Sequence, residues 1–543
     1  MSAPETGTDD LADRVAAWIA ADPDPASRDE LRGLTDDELA QRFSSPLTFG
    51  TAGLRGPLQA GPSGMNEAVV LRTTAGLARR LTDRCLGGGT VVVGRDARHG
   101  SESFAHAAAE VLAAAGFRVA LLPRPLPTPV VAFAVRHLGA VAGVQVTASH
   151  NPPRDNGYKV YVDGGAQLIS PADREIEAAI AQAGPANAIP RTPVDPAGED
   201  LVERYLDRVA ALPHGTDRGI RIALTALHGV GGATAVAALR RAGFSDIHTV
   251  AGQFDPDPDF PTVAFPNPEE PGATDALLAL AERVGADVAI ALDPDADRCA
   301  VGIPEPHGWR MLTGDETGAL LGDHVLAVAP AGSLVATTVV SSRLLEALAA
   351  ARGARYVQTL TGFKHLVRAG NGLVYAYEEA LGHCVDPDAV RDKDGISAAV
   401  LVCDLAAGLM ARDRSLADLL DDHAVEFGVH ATGQVSRRFD RIEERAAVMD
   451  AVRRRPPSTL AGMAVESEDL AVRRDRLRTD AVVLGGARAG ESVRMVLRPS
   501  GTEPKLKAYM EAVVPVADRA ALAGARARAE RLLAELRTAV PWE

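Results

Sequence analysis

Three related α/β domains with mainly parallel, mixed sheets, plus a smaller C-terminal α+β domain, are what this sequence predicts, and three observations carry the prediction. A strand-loop-helix-strand unit recurs three times, at intervals of about 110 to 130 residues. Each unit couples a short apolar or β-branched run to an Ala-rich helical stretch, the pattern of a sheet covered by helices. Beyond residue 430 the pattern breaks into helix, strand, turn, strand, loop, strand and helix. With 543 residues and 46% hydrophobic composition, the length itself suggests roughly three to four domains.

Residues 9–42 read as two short amphipathic helices with Trp18 and Ile19 as apolar contacts. They lead into Phe49-Gly50-Thr51-Ala52-Gly53-Leu54-Arg55-Gly56, where glycines allow close backbone approach to a phosphate and Arg55 offers a charged anchor. A plain glycine-rich turn is the alternative. The first repeat is a strand at 90–93, a polar loop at 94–98, a helix at 103–115 and a strand at 116–122. The second has a strand at 220–224, a helix to Arg241 and a strand from Gly243. The third has a strand at 333–340, a helix through Ala351 and a strand at 354–359. Gly229-Val230-Gly231-Gly232 lacks the third glycine and the later acidic residue of a dinucleotide fingerprint, so it is not one. Composition shifts at 184–198, 327–332 and 428–433 place the domains at 1–208, 209–326, 327–430 and 431–543. In the last domain, strands are expected at 481–484, 493–497 and 506–514, a turn at 485–490 and a helix at 517–537.

A net charge of −15 disfavours partnership with nucleic acid or an anionic membrane. A polar, acidic start and the lack of a long apolar run point to a cytoplasmic protein. Four dispersed cysteines without Cys-x-x-Cys spacing fit neither a disulfide framework nor a zinc cluster. Of 57 basic residues only five are lysine: Lys159, Lys364, Lys393, Lys505 and Lys507. Arginine is a fixed planar fork and lysine a tunable point charge, so the retained lysines mark candidate working positions.

The chemistry concentrates in a few stretches. Val146-Thr147-Ala148-Ser149-His150-Asn151-Pro152 sets one hydroxyl on a tight turn after an apolar run, which predicts Ser149 at an exposed strand-to-loop corner. Asp293-Pro294-Asp295-Ala296-Asp297-Arg298 follows the apolar run 286–292, and alternation in an extended segment puts three carboxylates on one face. They would repel without a cation, and an all-oxygen set suits Mg²⁺. A calcium loop of the EF-hand type is excluded by Arg298 where glycine is needed and Pro304 where glutamate is needed. Arg498-Pro499-Ser500-Gly501-Thr502-Glu503-Pro504-Lys505 gathers the cations, hydroxyls and flexible amide that a phosphate dianion needs. Thr361 to His365, Tyr377 to His383 and Arg391 to Gly395 supply further polar turns; paired glutamates near a sugar would accept hydroxyl hydrogen bonds.

Taken together and in this order, the motifs resemble the α-D-phosphohexomutase family of phosphoglucomutases and phosphomannomutases. Residues 147–152 look like its phosphoserine loop, 293–298 its magnesium loop, 377–382 its sugar loop and 498–504 its phosphate loop. The resemblance implies four domains around a central cleft. It places catalysis on Ser149, Lys159, His150, Arg298 and Lys393, with Lys159 at the general acid/base position. It gives the metal to Ser149, Asp293, Asp295 and Asp297, and the substrate to Arg55, Lys364, His365, Glu378, Glu379, His383 and Lys393. The distal phosphate falls to Arg498, Ser500, Gly501, Thr502 and Lys505. The implied reaction interconverts hexose 1-phosphate and hexose 6-phosphate, glucose before mannose, through a phosphoserine enzyme, Mg²⁺ and hexose 1,6-bisphosphate. The sugar loop departs from the common Gly-Glu-x-Ser: Ala380 or Leu381 stands in place of the serine, and either Glu378 or Glu379 is the main ligand. That form is similar to a subgroup that includes phosphopentomutases. A sugar phosphatase and a non-catalytic phosphosugar sensor are the alternatives of another class.

Overall fold

A computed structural model describes residues 8–50, 53–162, 164–500 and 505–542. They form two compact units, one of residues up to Arg310 together with Asp386–Cys403, the other of Met311–Val385 together with Asp404 onward.

In the first unit the strands Arg118–Leu121, Thr90–Arg95, Ala142–Val146 and Asp155–Val162 lie side by side in that order. The first three are parallel and the fourth is antiparallel. Asp246–Thr249, Arg221–Thr225, Val288–Leu292 and Cys299–Glu305 repeat that order and those directions in a second sheet. In the second unit Arg355–Thr359, Leu334–Thr338, Leu373–Glu378 and Gly382–Cys384 repeat them again. The central strands are buried on both faces, which is why Val91, Val92 and Val93, or Val288 to Leu292, read as unbroken apolar runs.

In every sheet the loop joining the third strand to the fourth leaves the carboxyl end of a parallel strand, where ligand sites form in open α/β sheets. Each of these loops turns on a non-glycine residue with left-handed backbone: Ser149 at φ 54°, Ala296 at φ 54° and Leu381 at φ 64°. That conformation costs on the order of 1 kcal/mol for a residue with a Cβ, so packing must enforce it. Glycines provide the packing. A Cβ on Gly229 would lie 2.3 Å from the Cα of Pro294, and one on Gly314 would lie 2.0 Å from the carbonyl oxygen of Glu379. The Gly229–Gly232 run is therefore a seat for the carboxylate loop, and the Val230 amide donates to the Pro294 carbonyl at 2.8 Å.

The C-terminal domain is a five-stranded sheet in the order Val429–Arg438, Lys505–Val514, Glu491–Pro499, Val482–Arg488, Glu466–Asp469, antiparallel throughout. The helices Ile442–Arg454 and Leu522–Thr538 cover it, with Met449, Met495 and Leu532 in its core. Within the second unit it is fastened to the third α/β sheet. Buried Glu511 accepts from the Ser342 hydroxyl at 2.8 Å and the Arg343 guanidinium at 2.7 Å, and pairs with His430 at 2.9 Å.

Several sequence expectations need correcting. The N-terminal segment is three helices, Thr8–Ala21, Pro25–Gly33 and Asp36–Arg42, because Asp24 caps the second and a Thr35/Glu38 capping box starts the third. The composition shift at 428–433, expected to join the third domain to the last, is regular structure: Gly428, at φ 90°, follows the helix Leu416–Phe427, and the strand Val429–Arg438 begins at once. The expected turn at 485–490 shrinks to Ala489 and Gly490, at φ 52° and 86°, whose handedness matches a tight hairpin. The helix Gly314–Leu326, assigned from sequence to the second domain, packs on the third sheet, where Gly318 and Gly322 make room for Tyr377 and Tyr375.

Gly229→Ala should destabilise the protein by about 1–3 kcal/mol, because a methyl there meets backbone that cannot move without distorting the carboxylate loop. Gly219→Ala, which meets nothing within 4 Å, should change stability by less than about 0.5 kcal/mol. Paired urea melts check both.

Candidate functional site

The first unit assembles most of the predicted catalytic residues. Leaving the strand Ala142–Val146, the Thr147 hydroxyl accepts from the Ser149 amide at 2.9 Å, and the left-handed turn at Ser149 aims its side chain at the neighbouring loop. Ser149 Oγ donates to Asp293 Oδ2 at 3.1 Å and lies 3.3 Å from His150 Nδ1. The expected exposed corner is in fact buried, with Ser149 only 3% accessible. The reason is Arg98. Its guanidinium donates to the carbonyls of Ser149 and Asn151 at 2.6 Å each, Pro152 at 2.8 Å and Asp155 at 3.1 Å. Asp96 lies 3.4 Å from its Nε, and the Phe260 ring stacks 4.9 Å from its carbon centre. Arg55 adds a bond to Asn151 Oδ1 at 2.9 Å.

Asp293, Asp295 and Asp297 are buried, and one ligand atom from each lies within 4.8 Å of the other two. Lys159 Nζ donates to Asp295 Oδ2 at 2.6 Å and to Asp297 Oδ2 at 3.0 Å. Lys393 Nζ is 3.1 Å from the same Asp297 oxygen. The Thr128 hydroxyl donates to Asp295 at 2.6 Å, and the Arg298 amide to Asp293 Oδ1 at 3.0 Å. The Arg298 side chain turns toward Glu269 at 3.4 Å and passes 4.0 Å from Asp293. Burial, then Asp295 and Asp297, push the Asp293 carboxyl well above its usual range. Burial also opposes charge on Asp295, yet Lys159, Thr128 and Lys393 hold it well below the usual range. Burial and the Arg298 and Arg55 charges push His150 well down, so its imidazole is neutral.

Two carboxylate oxygens, Asp295 Oδ1 and Asp297 Oδ1, are buried without a hydrogen-bond partner among the described residues. Orphaned oxygens within an all-oxygen set fit a hard divalent cation of the Mg²⁺ kind.

In the second unit, the Glu379 carboxylate accepts from the Ser341 hydroxyl at 2.8 Å and from Thr338 at 3.2 Å. Burial and the adjacent Glu378 push it up to about 7. Glu378 instead accepts the Gly362 amide at 2.8 Å, which brings the turn holding Lys364 and His365 to the 378–382 loop. His365 is pushed down to about 4 by burial, Lys364 and Arg368. His383 is fully buried, stacked near Tyr377 and 3.1 Å from the Tyr375 hydroxyl; burial pushes it down to about 3, so it is a neutral core histidine. Tyr509, absent from the sequence reading, bonds Arg498 and senses Glu379, and burial with that charge pushes its phenol up. Ser500 donates its amide to the Lys505 carbonyl at 2.8 Å, and Arg445 bonds the Ser500 carbonyl. Gly501 and Thr502 lie outside the described residues, as do Thr51 and Ala52 of the glycine-rich turn.

Sequence reasoning also missed Arg98, Thr128 and Asp392. Asp392 binds Tyr161 at 2.9 Å and Gln167 at 2.6 Å, and lies beside Lys393. Arg98 had a local signal in the Gly-Arg-Asp-Ala-Arg loop after a strand, and Asp392 in the Arg391 to Gly395 stretch; Thr128 had none.

Residues 46–186, 203–305 and 313–427 match domains I, II and III, all α/β/α, of phosphoglucomutase/phosphomannomutase. A protein of Haemophilus influenzae named probable phosphomannomutase is 42% identical over 83% of this chain and 93% of its own. A mouse phosphopentomutase is 34% identical over 93% of this chain and 90% of its own. The crystal structure of a phosphoglucomutase/phosphomannomutase family protein from Burkholderia thailandensis shares the fold, with a TM-score of 0.67 and 21% identity over 90% of this chain and 98% of that one. The carboxylate triad beside a turned serine stands within domains that match along the chain, and so the chain belongs to the phosphoglucomutase/phosphomannomutase family, the α-D-phosphohexomutases, and is an isomerase of the intramolecular phosphotransferase type.

Proposed function

We propose that this phosphomutase interconverts hexose 1-phosphate and hexose 6-phosphate, glucose before mannose, through a phosphoryl group carried on Ser149 and a hexose 1,6-bisphosphate. The observation that carries this reading is the Ser149 hydroxyl held 3.1 Å from Asp293 beside two further buried carboxylates. A serine so placed gains nothing as a simple turn residue, whereas a phosphoryl group there would meet the charges gathered around it. Bound by Asp293, Asp295, Asp297 and the Ser149 side chain, Mg²⁺ would neutralise charge on the phosphoryl oxygens.

In the first half-reaction the substrate hydroxyl oxygen bonds to phosphorus as the bond from phosphorus to Ser149 Oγ breaks. Neutral His150 is suited to accept the proton released by that hydroxyl, and the Lys159 ammonium, held by Asp295 and Asp297, is the acid we assign to return a proton to the departing sugar oxygen in the second half-reaction. Arg298 and Lys393 compensate developing charge. The bisphosphate then presents its other phosphate, which returns to Ser149 and leaves the isomeric monophosphate. Glu378, Glu379, Lys364 and His365 hold the sugar, Arg55 a phosphate oxygen, and Arg498, Ser500, Gly501, Thr502 and Lys505 the distal phosphate. Phosphoserine, metal, sugar and phosphate functions thus fall to four successive domains. Burial of Ser149 supports transfer to sugar over transfer to water, which separates a mutase from a phosphatase.

A second reading is favoured by one observation. The Glu378-Glu379-Ala380-Leu381-Gly382 loop lacks a serine hydroxyl, and the chain is similar to a phosphopentomutase over most of its length. Ribose 1-phosphate or deoxyribose 1-phosphate is the substrate under that reading.

Intact-mass and peptide analysis of the purified enzyme should find phosphate on Ser149, and Ser149→Ala should lose activity by at least about 10³-fold. Phosphate on another residue in a fully active enzyme excludes the assignment. Lys159→Arg keeps the charge but gives up no proton near neutrality, so kcat should fall about 10²- to 10⁴-fold with KM changed far less. A near-native kcat would leave Lys159 as an anchor for the carboxylates only. Comparison of kcat/KM for glucose, mannose and ribose 1-phosphates, with catalytic bisphosphate present, decides the sugar: a hexose should lead, and preference for ribose 1-phosphate hands the assignment to the second reading.

A further inference from the structure

A cavity of about 440 Å³ opens where the N-terminal helices meet the helices of the first sheet, lined by Trp18, Phe43, Pro46, Pro62, Arg72 and Pro185 among others. The helices that build one wall precede residue 46, where the match to domain I begins. Trp18 packs against both the small core of these helices and the large core of the first sheet. Its ring meets Phe43 edge to face, with centroids 6.1 Å apart and planes at 87°. Such a wall of two aromatic rings and prolines is shaped for a flat apolar body.

The polar groups at the cavity do not balance. Trp18 Nε1 and Arg72 Nε are buried N–H donors without a hydrogen-bond partner among the described residues. The carboxylate that also lines the cavity is already committed. Asp22 accepts from the Ser27 hydroxyl at 2.7 Å through one oxygen and from the Asp24 amide at 3.0 Å through the other. Arg14, also on the lining, donates to the Phe43 carbonyl and lies 6.0 Å from the Phe43 ring centroid. The cavity thus offers apolar walls and cationic side chains, two of its lining residues carry unspent donors, and its lining carboxylate is engaged elsewhere. Buried donors are paired in folded proteins, and an anionic acceptor gains most from a guanidinium.

We propose that this cavity is a binding site for a small aromatic carboxylate, its ring against Trp18 and Phe43 and its carboxylate accepting from Arg72 and Trp18. The proposal is independent of phosphoryl transfer, since neither Trp18 nor Arg72 belongs to the catalytic or sugar-binding residues.

The probe is 1-naphthoate, titrated into the full-length enzyme by calorimetry and by tryptophan fluorescence, with 1-naphthalenemethanol as its uncharged counterpart. Saturable binding is expected, weaker by about tenfold or more for the alcohol and for Arg72→Met, and by a few-fold for Trp18→Phe, which keeps a ring and loses the N–H. Inorganic phosphate, which carries charge without a ring, should not displace the probe. Melting curves and unchanged phosphomutase activity certify that Arg72→Met is folded. No saturation with the wild type, as a cavity holding water alone would give, overturns the proposal. So does equal affinity in Arg72→Met, equal affinity for the alcohol, or displacement by phosphate.

Discussion

Three carboxylates buried within 4.8 Å of one another cannot all stay charged without compensation, and the first unit is organised around supplying it. Lys159 reaches in from the antiparallel strand of the first sheet, and Lys393 from the returning segment Asp386–Cys403. Thr128 stands at the start of a helix and spends its hydroxyl on Asp295 while its amide donates to the Asp295 carbonyl at 2.9 Å. Two ammonium groups face Asp295 and Asp297, and the Arg298 guanidinium passes 4.0 Å from Asp293, whose carboxyl burial and the two neighbouring carboxylates push well above its ordinary range.

The repeated sheet explains how such a site is built from ordinary parts. The same connection, from third to fourth strand, carries Ser149 in one copy, the aspartates in the next and Glu379 in the third. Each copy bends its loop through one left-handed non-glycine residue and presses a glycine from elsewhere against loop backbone. Gly157 does this at Thr147, Gly229 at Pro294 and Gly314 at Glu379. Three different chemistries therefore rest on one solution to turning a chain at the end of a parallel strand.

Legibility in the sequence followed distance along the chain. Ser149 and the three aspartates are visible because a single short stretch holds all the relevant atoms, and the α/β repeats because strand and helix periodicities are local. Arg98 was invisible in its role because its four acceptors are backbone carbonyls, which carry no residue identity, and they lie more than 50 positions away. Thr128 is 167 positions from its partner Asp295, and a threonine at a helix start reads as a cap. The segment before residue 43 reads as two helices when it is three because its caps lie close together, and the strand after Gly428 is hidden because a glycine that ends a helix looks like a boundary between domains. His383 looked like a ligand because histidine beside a glutamate loop is suggestive, yet alternation along Gly382–Cys384 turns it inward onto two tyrosines.

Arg98 has a consequence of its own. A guanidinium has five N–H bonds; here four end on main-chain carbonyls and the fifth faces Asp96. Both terminal nitrogens are thus spent on the turn itself. The curvature of the serine turn is thereby held by groups other than the serine side chain, so under the proposed phosphoserine cycle the hydroxyl would return to the same position after each transfer. A lysine there, with three donors and no plane, would have to choose among the four carbonyls, and the turn would lose its single fixed curvature.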